Sequence, residues 1–377
     1  MNKVGMNIEV IMNRREFSRL FYLSSIAVYL FISIVLVNSC NFKSELKVGF
    51  IYIGSVDDGG WTTSHENARK RLAENNKNIR FTKHEKVKVA ELESLIDDLV
   101  KKRYNLIFTT SYDFEEVTYK SALKHPNVVF FNCAGLRTRS NLGTYFVAME
   151  EARYLSGIVA GMMTANGKIG YVASKPTSEV LRIINGFTLG VRSVNPNADV
   201  HVKWVSSWFD PIKEKIVADY FINREFDVIV SGVDSKAVVV SVEESGKPIY
   251  SIGYGVDEPH YAPRSYLHSS VWNWHGIYSK IIDDYLAGKV TDWRNHRYYC
   301  GIVDDGVDIS KMRNNVPINV KKTVEAVREE LLKGEIKIFK GPLLSNNGVE
   351  VIRSGEVADL TDLLYMDYLV DGVIVEK

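Results

Sequence analysis

Short, mostly apolar runs alternate along the chain with segments in which apolar residues recur at helical spacing. Leu46–Gly54 is rich in β-branched and aromatic residues, whereas Val89–Arg103 carries leucine or isoleucine at positions 92, 95, 96 and 99. The first kind of run is typical of strands in a parallel sheet, and the second is typical of the amphipathic helices that cover such a sheet. The pattern therefore predicts an α/β protein.

The alternation runs through two rounds, which indicates two doubly wound halves of roughly 100 residues each. The first round has predicted strands at Leu46–Gly54, Ile79–His84, Asn105–Thr109 and Asn127–Asn132, and helices from Thr62 or Thr63 to about Asn75, at Val89–Arg103 and up to about His125. The second has predicted strands at Lys168–Ala173, Val200–Val205, Asp227–Ser231, Pro248–Tyr254 and Tyr266–Val271, and helices at Ala152–Thr164, Glu179–Val194, Ile212–Asn223, Lys236–Ser245 and Gly276–Leu286. A helix at Lys321–Lys333 and a mixed tail close the chain.

The N-terminus has the pattern of a bacterial lipoprotein signal. A basic stretch around Arg14-Arg15 precedes the uncharged run Phe21–Val37, and the small residues that follow end at Cys40. This order predicts a signal peptide over residues 1–39, lipidation of Cys40 by acyl chains such as palmitate, and a tether over 40–46. The body is then expected outside the cytoplasmic membrane, lipid-anchored and facing the periplasm or the exterior. An uncleaved membrane anchor, a twin-arginine export signal and a start at Met12 are the alternatives.

Composition narrows the function classes. Lys and Arg number 47 against 46 Asp and Glu, a net charge of +1, so the chain lacks the basic footprint of a nucleic-acid binder. Three cysteines are too few for a disulfide framework, and we expect Cys133 and Cys300 to be buried and unpaired. His65 and His84 begin patterns that resemble a zinc-protease helix but lack the second histidine. We therefore expect no enzyme, no metal and no cofactor.

Aromatic and acidic residues collect in the loops that follow predicted strands. Ligands of open parallel sheets bind at the carboxyl ends of the strands, which points to the loops Asp57–Trp61, Thr110–Phe114, Asn132–Leu136, Ser174–Glu179, Ser207–Pro211, Gly232–Ser235, Gly255–Glu258 and Trp272–Trp274. Aromatic faces can sandwich a planar heterocycle, and an aspartate accepts hydrogen bonds from a ring N–H or an amine. A cleft of this composition suits a flat, neutral or weakly basic ligand.

Several runs occur in the order found in one known family. They are VDDGGWT at 56–62, LIFTTS at 106–111, EARYLSG at 151–157, KIGYVA at 168–173, NGFTLG at 185–190, VNP at 194–196, SWFDP at 207–211 and the pair Asp234-Ser235. Together they resemble the basic membrane protein family of substrate-binding lipoproteins, which serve ABC importers and bind nucleosides or purine bases. The resemblance extends from about Lys47 to Lys377. It implies a type I periplasmic-binding fold of two lobes joined by three crossings, with lobes at 47–150 plus about 273–300 and at 151–272 plus about 301–377.

By this resemblance Trp61 and Trp208 stack on the ligand, one from each lobe, and Asp234 bonds its ring nitrogens or amine. The two glycines before Trp61 are similar to those of the purine-binding branch, which favours a bare base over a nucleoside. The chain departs from that branch at Ser231-Gly232-Val233 and at 132–135, so Gly232 is a candidate contact in a wider pocket and the ligand's identity stays open. Each of the three main residues also has a structural interpretation. Trp61 can pack over the sheet end, Trp208 can staple a helix entry, and Asp234 can cap a helix.

Further candidate ligand contacts are Asp58, Tyr112, Phe114, Trp272 and Asp257. Asp58 can instead hold its own turn, and Tyr112 and Phe114 can instead belong to the core. Trp272 and Trp274 lie two apart on a predicted strand end, so we expect both to point the same way. Asp257 can line the hinge side of the cleft.

The expected protein is a monomeric binding protein that captures an adenine-like purine base or a nucleoside and delivers it to an ABC permease in the membrane. We expect no nucleic-acid partner. One alternative is a sugar receptor of the same fold, to which Arg137, Arg139 and Arg182 could contribute. A nucleoside-processing enzyme and a surface adhesin are the others.

Overall fold

A computed structural model describes residues 45–288 and 290–377, and the predicted signal peptide and Cys40 lie outside this range. The described residues form α-helices at α1 Trp61–Asn75, α2 Val89–Lys101, α3 Glu115–Lys124, α4 Met149–Met163, α5 Ser178–Val194, α6 Pro211–Ile222, α7 Ala237–Glu244, α8 Trp274–Ala287, α9 Ile318–Leu332 and α10 Leu360–Leu364. Short 3-10 helices lie at Tyr112–Phe114 and Pro259–Tyr261. Of the helices in this range, none combines the length and the apolar character that a membrane span requires.

The strands form two large sheets and one small one. They are β1 Leu46–Ile51, β2 Ile79–His84, β3 Leu106–Thr109, β4 Val129–Cys133, β5 Leu142–Val147, β6 Lys168–Ala173, β7 Asp199–Trp204, β8 Val228–Gly232, β9 Tyr250–Gly255, β10 Tyr266–Trp272, β11 Arg297–Cys300, β12 Val307–Ile309, β13 Leu343–Leu344, β14 Glu350–Ile352 and β15 Val373–Val375. The first sheet has the order β11-β5-β4-β3-β1-β2, and the second has the order β12-β10-β9-β8-β6-β7-β15. The predicted α/β class is confirmed.

Neighbouring strands in both large sheets are parallel, except that β12 runs antiparallel to β10. We call the part of the chain built on the first sheet lobe 1 and the part built on the second lobe 2. The chain passes between the two sheets after β5, after β10 and after β11. Residues Leu46–Lys377 form one unit by their contacts, so the residue boundaries predicted for the lobes stay a prediction.

The core sits on the strands and keeps their carboxyl ends in place. Every residue of β3, β5 and β8 is buried, and in lobe 1 the rings of Phe50 and Phe108 stack with their centres 4.8 Å apart. One cluster of buried apolar side chains includes strands of both sheets together with α4 and α8. Loops that leave these strand ends are therefore presented from a rigid base.

Some elements differ from the predicted ones. Strand β5 is absent from the predicted strands, although its six residues Leu142–Val147 are all buried. Strand β11 is recruited to the edge of the first sheet by pairing with β5, from about 150 positions later in the chain. The placement of Trp274 on a strand end is wrong, because β10 ends at Trp272 and Trp274 begins α8.

Candidate functional site

A cavity lies between the two lobes at the carboxyl ends of their strands. Lobe 1 contributes Ile53, Trp61, Ser111, Tyr112 and Ala134, and lobe 2 contributes Ser174, Glu179, Val180, Trp208, Gly232, Asp234 and Tyr254. We call it the interlobe cavity, and it offers about 40 Å³ to the centres of water-sized molecules. The structure thus brings together Trp61, Tyr112, Trp208, Gly232 and Asp234 from the predicted residues.

Asp58 holds the loop that carries Trp61. Its carboxylate accepts hydrogen bonds from the backbone N–H groups of Gly60, Thr62 and Thr63 at 2.9, 2.8 and 3.0 Å. Asp58 therefore accepts hydrogen bonds from the free N–H groups at the start of α1. It is absent from the cavity lining. Asp58 therefore holds its own turn, as its structural interpretation proposed.

The two glycines of this loop, Gly59 and Gly60, are needed for different reasons. Gly59 adopts a positive φ of 74°, a conformation that favours glycine. At Gly60 a Cβ atom would lie only 2.3 Å from the carbonyl oxygen of Asp234 in lobe 2. A glycine at this position lets the two backbones, one from each lobe, approach closely. The glycine pair can be read from the sequence, but the close approach of Gly60 to Asp234 appears only in the folded chain.

Trp61 is the aromatic wall supplied by lobe 1. Its indole N–H donates to the carbonyl oxygen of Thr110 at 2.7 Å. Its ring meets the rings of Trp272 and Trp274 edge to face, each with centres 5.3 Å apart. Trp272 is only 7% exposed and lies outside the lining, so it supports the wall from behind. Trp272 and Trp274 stack on each other at 5.2 Å, so their rings share one direction although their backbones belong to different elements.

Trp208 is the corresponding wall from lobe 2, and it also contacts lobe 1. The indole N–H of Trp208 donates to a carboxylate oxygen of Asp113 in lobe 1 at 3.2 Å. The ammonium of Lys175 in lobe 2 reaches the same oxygen at 3.2 Å and lies 4.9 Å from the centre of the Trp208 ring. We call these three residues the interlobe latch. Next to it, Asp210 caps α6 by accepting the N–H of Lys213.

Two carboxyl groups face the interlobe cavity. Burial, followed by the charges of Asp58, Glu214 and Glu179, raises the pKa of Asp234 well above its usual range. Burial likewise raises the pKa of Glu179 to about 7, against the opposing charge of Arg182. Within residues 45–288 and 290–377 neither carboxylate accepts a hydrogen bond, and Asp234 caps no helix. The cavity therefore presents two hydrogen-bond acceptors without protein donors.

Sequence reasoning does not single out Glu179 or Tyr254. Glu179 ends the loop Ser174–Glu179, which follows a predicted strand. An acidic residue in the first turn of a helix is, however, ordinarily explained by its favourable interaction with the helix dipole. Tyr254 lies inside β9, where an aromatic residue is common. The guanidinium of Arg153 lies 4.5 Å from the ring centre of Tyr254 and donates to the carbonyl oxygen of Ser231. Only the folded chain shows that Tyr254 faces the cavity.

A second interlobe cavity adjoins the first one. Its lining includes Tyr112, Ala134 and Glu179, which also line the first cavity, and Leu360 and Leu364 from α10. It offers about 50 Å³ to the centres of water-sized molecules. The C-terminal tail thus forms one wall of the cleft.

Two predicted candidates lie elsewhere. Phe114 is fully buried in the core of lobe 1. Asp257 accepts hydrogen bonds from Arg313 at 2.6 Å and from Ser310 at 2.8 Å, and it is absent from both cavity linings. Arg182, considered for a sugar site, lines the second cavity, but its guanidinium is buried and paired with Glu150 at 3.2 Å. Local sequence does not separate such structural roles from ligand contacts.

The two described cysteines, Cys133 and Cys300, are free and buried, which confirms the expected state. In the part of the chain that the structure describes, no group of three or more His, Cys, Asp or Glu residues is arranged to hold a metal ion.

Comparisons with known proteins identify the fold and the family. The sequence profile of the Bmp family, described as ABC transporter substrate-binding protein PnrA-like, matches residues 45–341. A Brucella abortus (strain 2308) protein named as purine-binding is 36% identical over 333 residues, 88% of this chain and 93% of the relative. A Haloferax volcanii protein, named provisionally as an ABC transporter glucose-binding protein, is 31% identical over 307 residues, 81% of this chain and 77% of the relative.

The solved structures support the same architecture. A solute-binding protein of an ABC transporter system from Conexibacter woesei has a TM-score of 0.63 at 19% identity, covering 77% of this chain and 97% of that chain. At this identity the likeness concerns the fold alone, and the type I periplasmic-binding fold is confirmed. The matched family consists of binding proteins that act outside the cytoplasm, and not of enzymes.

Proposed function

The chain belongs to the Bmp family of PnrA-like ABC transporter substrate-binding proteins, and we propose that it captures a purine base or nucleoside in the interlobe cavity and delivers it to an ABC permease. One observation carries this proposal. Trp61 and Trp208 line the cavity from opposite lobes, and the carboxyl groups of Asp234 and Glu179 line the same cavity without protein donors.

These groups match the chemistry of a purine. Its flat ring offers two faces to the two indoles, and stacking of a base on an aromatic side chain is worth about 1–3 kcal/mol. The ring N–H and any exocyclic amine donate to carboxyl oxygens of Asp234 and Glu179, and such hydrogen bonds gain strength where water is excluded. The relative named as purine-binding supports this ligand class. The large indole at Trp61 favours a bare base, as the resemblance implies.

Binding requires that the lobes separate and close again. The ligand enters while the lobes are apart, and the latch of Asp113, Lys175 and Trp208 forms as they close. The permease then receives the ligand when the lobes reopen. No bond is made or broken in the ligand, so the mechanism is differential binding to the closed form.

A sugar is the second candidate, because the relative from Haloferax volcanii is named provisionally for glucose. An aromatic face and two carboxylates also suit hydroxyl donors. A sugar ring, however, presents apolar C–H groups and hydroxyls to the walls, whereas a purine uses both indole faces fully.

We further propose that residues 1–39 are a signal peptide, that Cys40 carries the lipid anchor after cleavage, that 40–46 form the tether, and that the mature chain is a monomer. The run of small residues ending at Cys40 supports the signal peptide and the lipid anchor. Mass spectrometry of the N-terminal peptide from membranes tests it. A diacylglyceryl mass on Cys40 is expected, and an intact peptide spanning residues 12–40 would overturn it.

The ligand proposal is tested by calorimetry with adenine, adenosine and glucose on wild type, Trp208→Ala and Phe209→Ala. Phe209 is the matched control, since it neighbours Trp208 but lies outside the interlobe cavity. We expect a purine to bind, Trp208→Ala to weaken it by about tenfold or more, and Phe209→Ala to bind within twofold of wild type. Equal affinities for the two variants, or glucose binding without purine binding, would overturn the proposal.

A further inference from the structure

A groove on lobe 1 is lined by three arginines. Arg139 comes from the turn before β5, Arg294 from the segment before β11, and Arg297 from the first position of β11, with polar groups added by Thr138, Ser140 and Asn295. None of the described residues lining the groove is acidic. We call it the arginine groove. It lies at the amino ends of β5 and β11, whereas the interlobe cavity lies at carboxyl ends, although the Arg297 side chain also borders the second cavity.

Two of the guanidinium groups have unused donors. Arg294 pairs with Asp292 at 2.9 Å. Arg139 and Arg297, in contrast, have no carboxylate within 4.0 Å among the described residues. The Nε and Nη1 atoms of Arg139 and the Nη1 atom of Arg297 are buried without a hydrogen-bond partner. A buried donor of this kind is unfavourable until an acceptor meets it.

The backbone holds the two arginine-bearing segments together. Arg139 and Leu142 exchange two backbone hydrogen bonds of 3.0 Å, which closes the turn. The N–H of Trp293 donates to Ser140 at 2.9 Å, and so joins the turn to the segment before β11. The amide of Asn141 donates to the carbonyl oxygens of Ala122 and Val128, which anchors the turn on the core of lobe 1. The backbone positions that carry the arginines are therefore fixed before any ligand binds.

We propose that the arginine groove binds a phosphate group, presented either as free phosphate or as the headgroup of an anionic lipid. A guanidinium donates N–H groups to the oxygens of a phosphate, and both Arg139 and Arg297 have N–H donors without a partner. Arg294 adds positive charge, and the hydroxyls of Thr138 and Ser140 can donate as well. The interlobe cavity has a different character, because its unpaired groups are the carboxyl groups of Asp234 and Glu179. The two sites thus take ligands of different charge.

The test uses the full chain in two arms. Inorganic phosphate is titrated by calorimetry at constant ionic strength, and vesicles of phosphatidylglycerol or phosphatidylcholine are tested by co-sedimentation. The variants are Arg139→Gln with Arg297→Gln, and as a matched control Arg80→Gln, since Arg80 is an exposed arginine of lobe 1 that does not line the groove. Any insertion of the N-terminal segment into vesicles is the same for wild type and both variants, so it does not affect the difference in their vesicle binding.

We expect the double variant to lose at least about tenfold in affinity for phosphate, or for phosphatidylglycerol over phosphatidylcholine vesicles, and Arg80→Gln to match wild type. If the double variant loses affinity for inorganic phosphate, the groove binds free phosphate. If it loses affinity only for the phosphatidylglycerol vesicles, the groove binds a lipid headgroup. Equal binding by wild type and the double variant in both arms, or no binding by wild type in either, overturns the proposal. If the double glutamine variant fails to fold, Arg139→Lys with Arg297→Lys replaces it. This variant keeps both positive charges but lacks the planar guanidinium groups, and we expect its affinity to fall at least about threefold.

Discussion

Replacing Glu179 by glutamine should stabilise the unliganded protein at alkaline pH and leave it unchanged at acidic pH. The pKa of Glu179 is raised to about 7 from the ordinary 4.5, because burial at the cavity disfavours the charged carboxylate. The difference corresponds to about 3 kcal/mol of unfavourable free energy for the ionised form. Because the carboxyl group is only partly buried and faces the cavity, we expect water to reduce this to about 1–2 kcal/mol.

The sign follows from proton binding. Between pH 4.5 and 7 the folded protein holds the Glu179 proton more tightly than the unfolded chain does, so this residue's contribution to stability is lost as the pH rises through 7. Glutamine has no proton to lose. The free energy of unfolding of Glu179→Gln should therefore exceed that of wild type by about 1–2 kcal/mol at pH 8, and equal it near pH 4.

Denaturant unfolding followed by tryptophan fluorescence, at pH 4 and pH 8, measures this difference. Other titrating groups, such as Glu151 with a pKa also raised to about 7 by burial, are common to both proteins and cancel. The exposed Glu335 supplies the control, and Glu335→Gln should stay within about 0.5 kcal/mol of wild type at both pH values. If Glu179→Gln and wild type showed the same pH dependence, Glu179 would titrate as an exposed acid, and the reasoning about a desolvated cavity would be refuted.

Three further predictions concern ligand affinity. Asp234→Asn should weaken purine binding at least about tenfold without lowering the melting temperature, whereas Asp257→Asn should leave affinity unchanged, as calorimetry and thermal melts can establish. Gly60→Ala should abolish tight binding, because the added Cβ would lie only 2.3 Å from the Asp234 carbonyl oxygen on closure. The control Gly276→Ala, in a helix where the added Cβ makes an ordinary 3.6 Å contact with the Asp304 carbonyl oxygen, should bind normally and melt slightly higher. Equal affinities of the two variants would contradict this. Asp113→Asn should raise the ligand dissociation rate several-fold in stopped-flow measurements, since it weakens the interlobe latch, and an unchanged rate would remove the latch from the account.

The local pattern predicted most of the architecture because each buried strand and amphipathic helix carries its own period. Strand β5 was not predicted because Gly143 and Thr144 interrupt its apolar run and α4 follows almost directly. The four residues of β11 become a strand only by pairing with β5. Such pairing is long-range, so it leaves no local signal in the sequence.

The cavity was predictable in part. Trp61, Trp208 and Asp234 follow predicted strands in the family's order, and all three reach the interlobe cavity. Asp58 and Asp257 have the same residue type and a similar position, yet their carboxylates are engaged by backbone N–H groups and by an arginine. Which partner an aspartate finds depends on the packed structure around it, and a single sequence does not contain that information in readable form.

If the interlobe cavity holds a purine, the protein should retain it through purification. Mass spectrometry can identify the small molecules released when the full chain, purified without added ligand, is denatured. We expect a purine base or nucleoside at close to one per chain, and its loss from protein carrying Asp234→Asn. A sugar released at that stoichiometry, with no purine and no purine binding to the emptied protein, would contradict it.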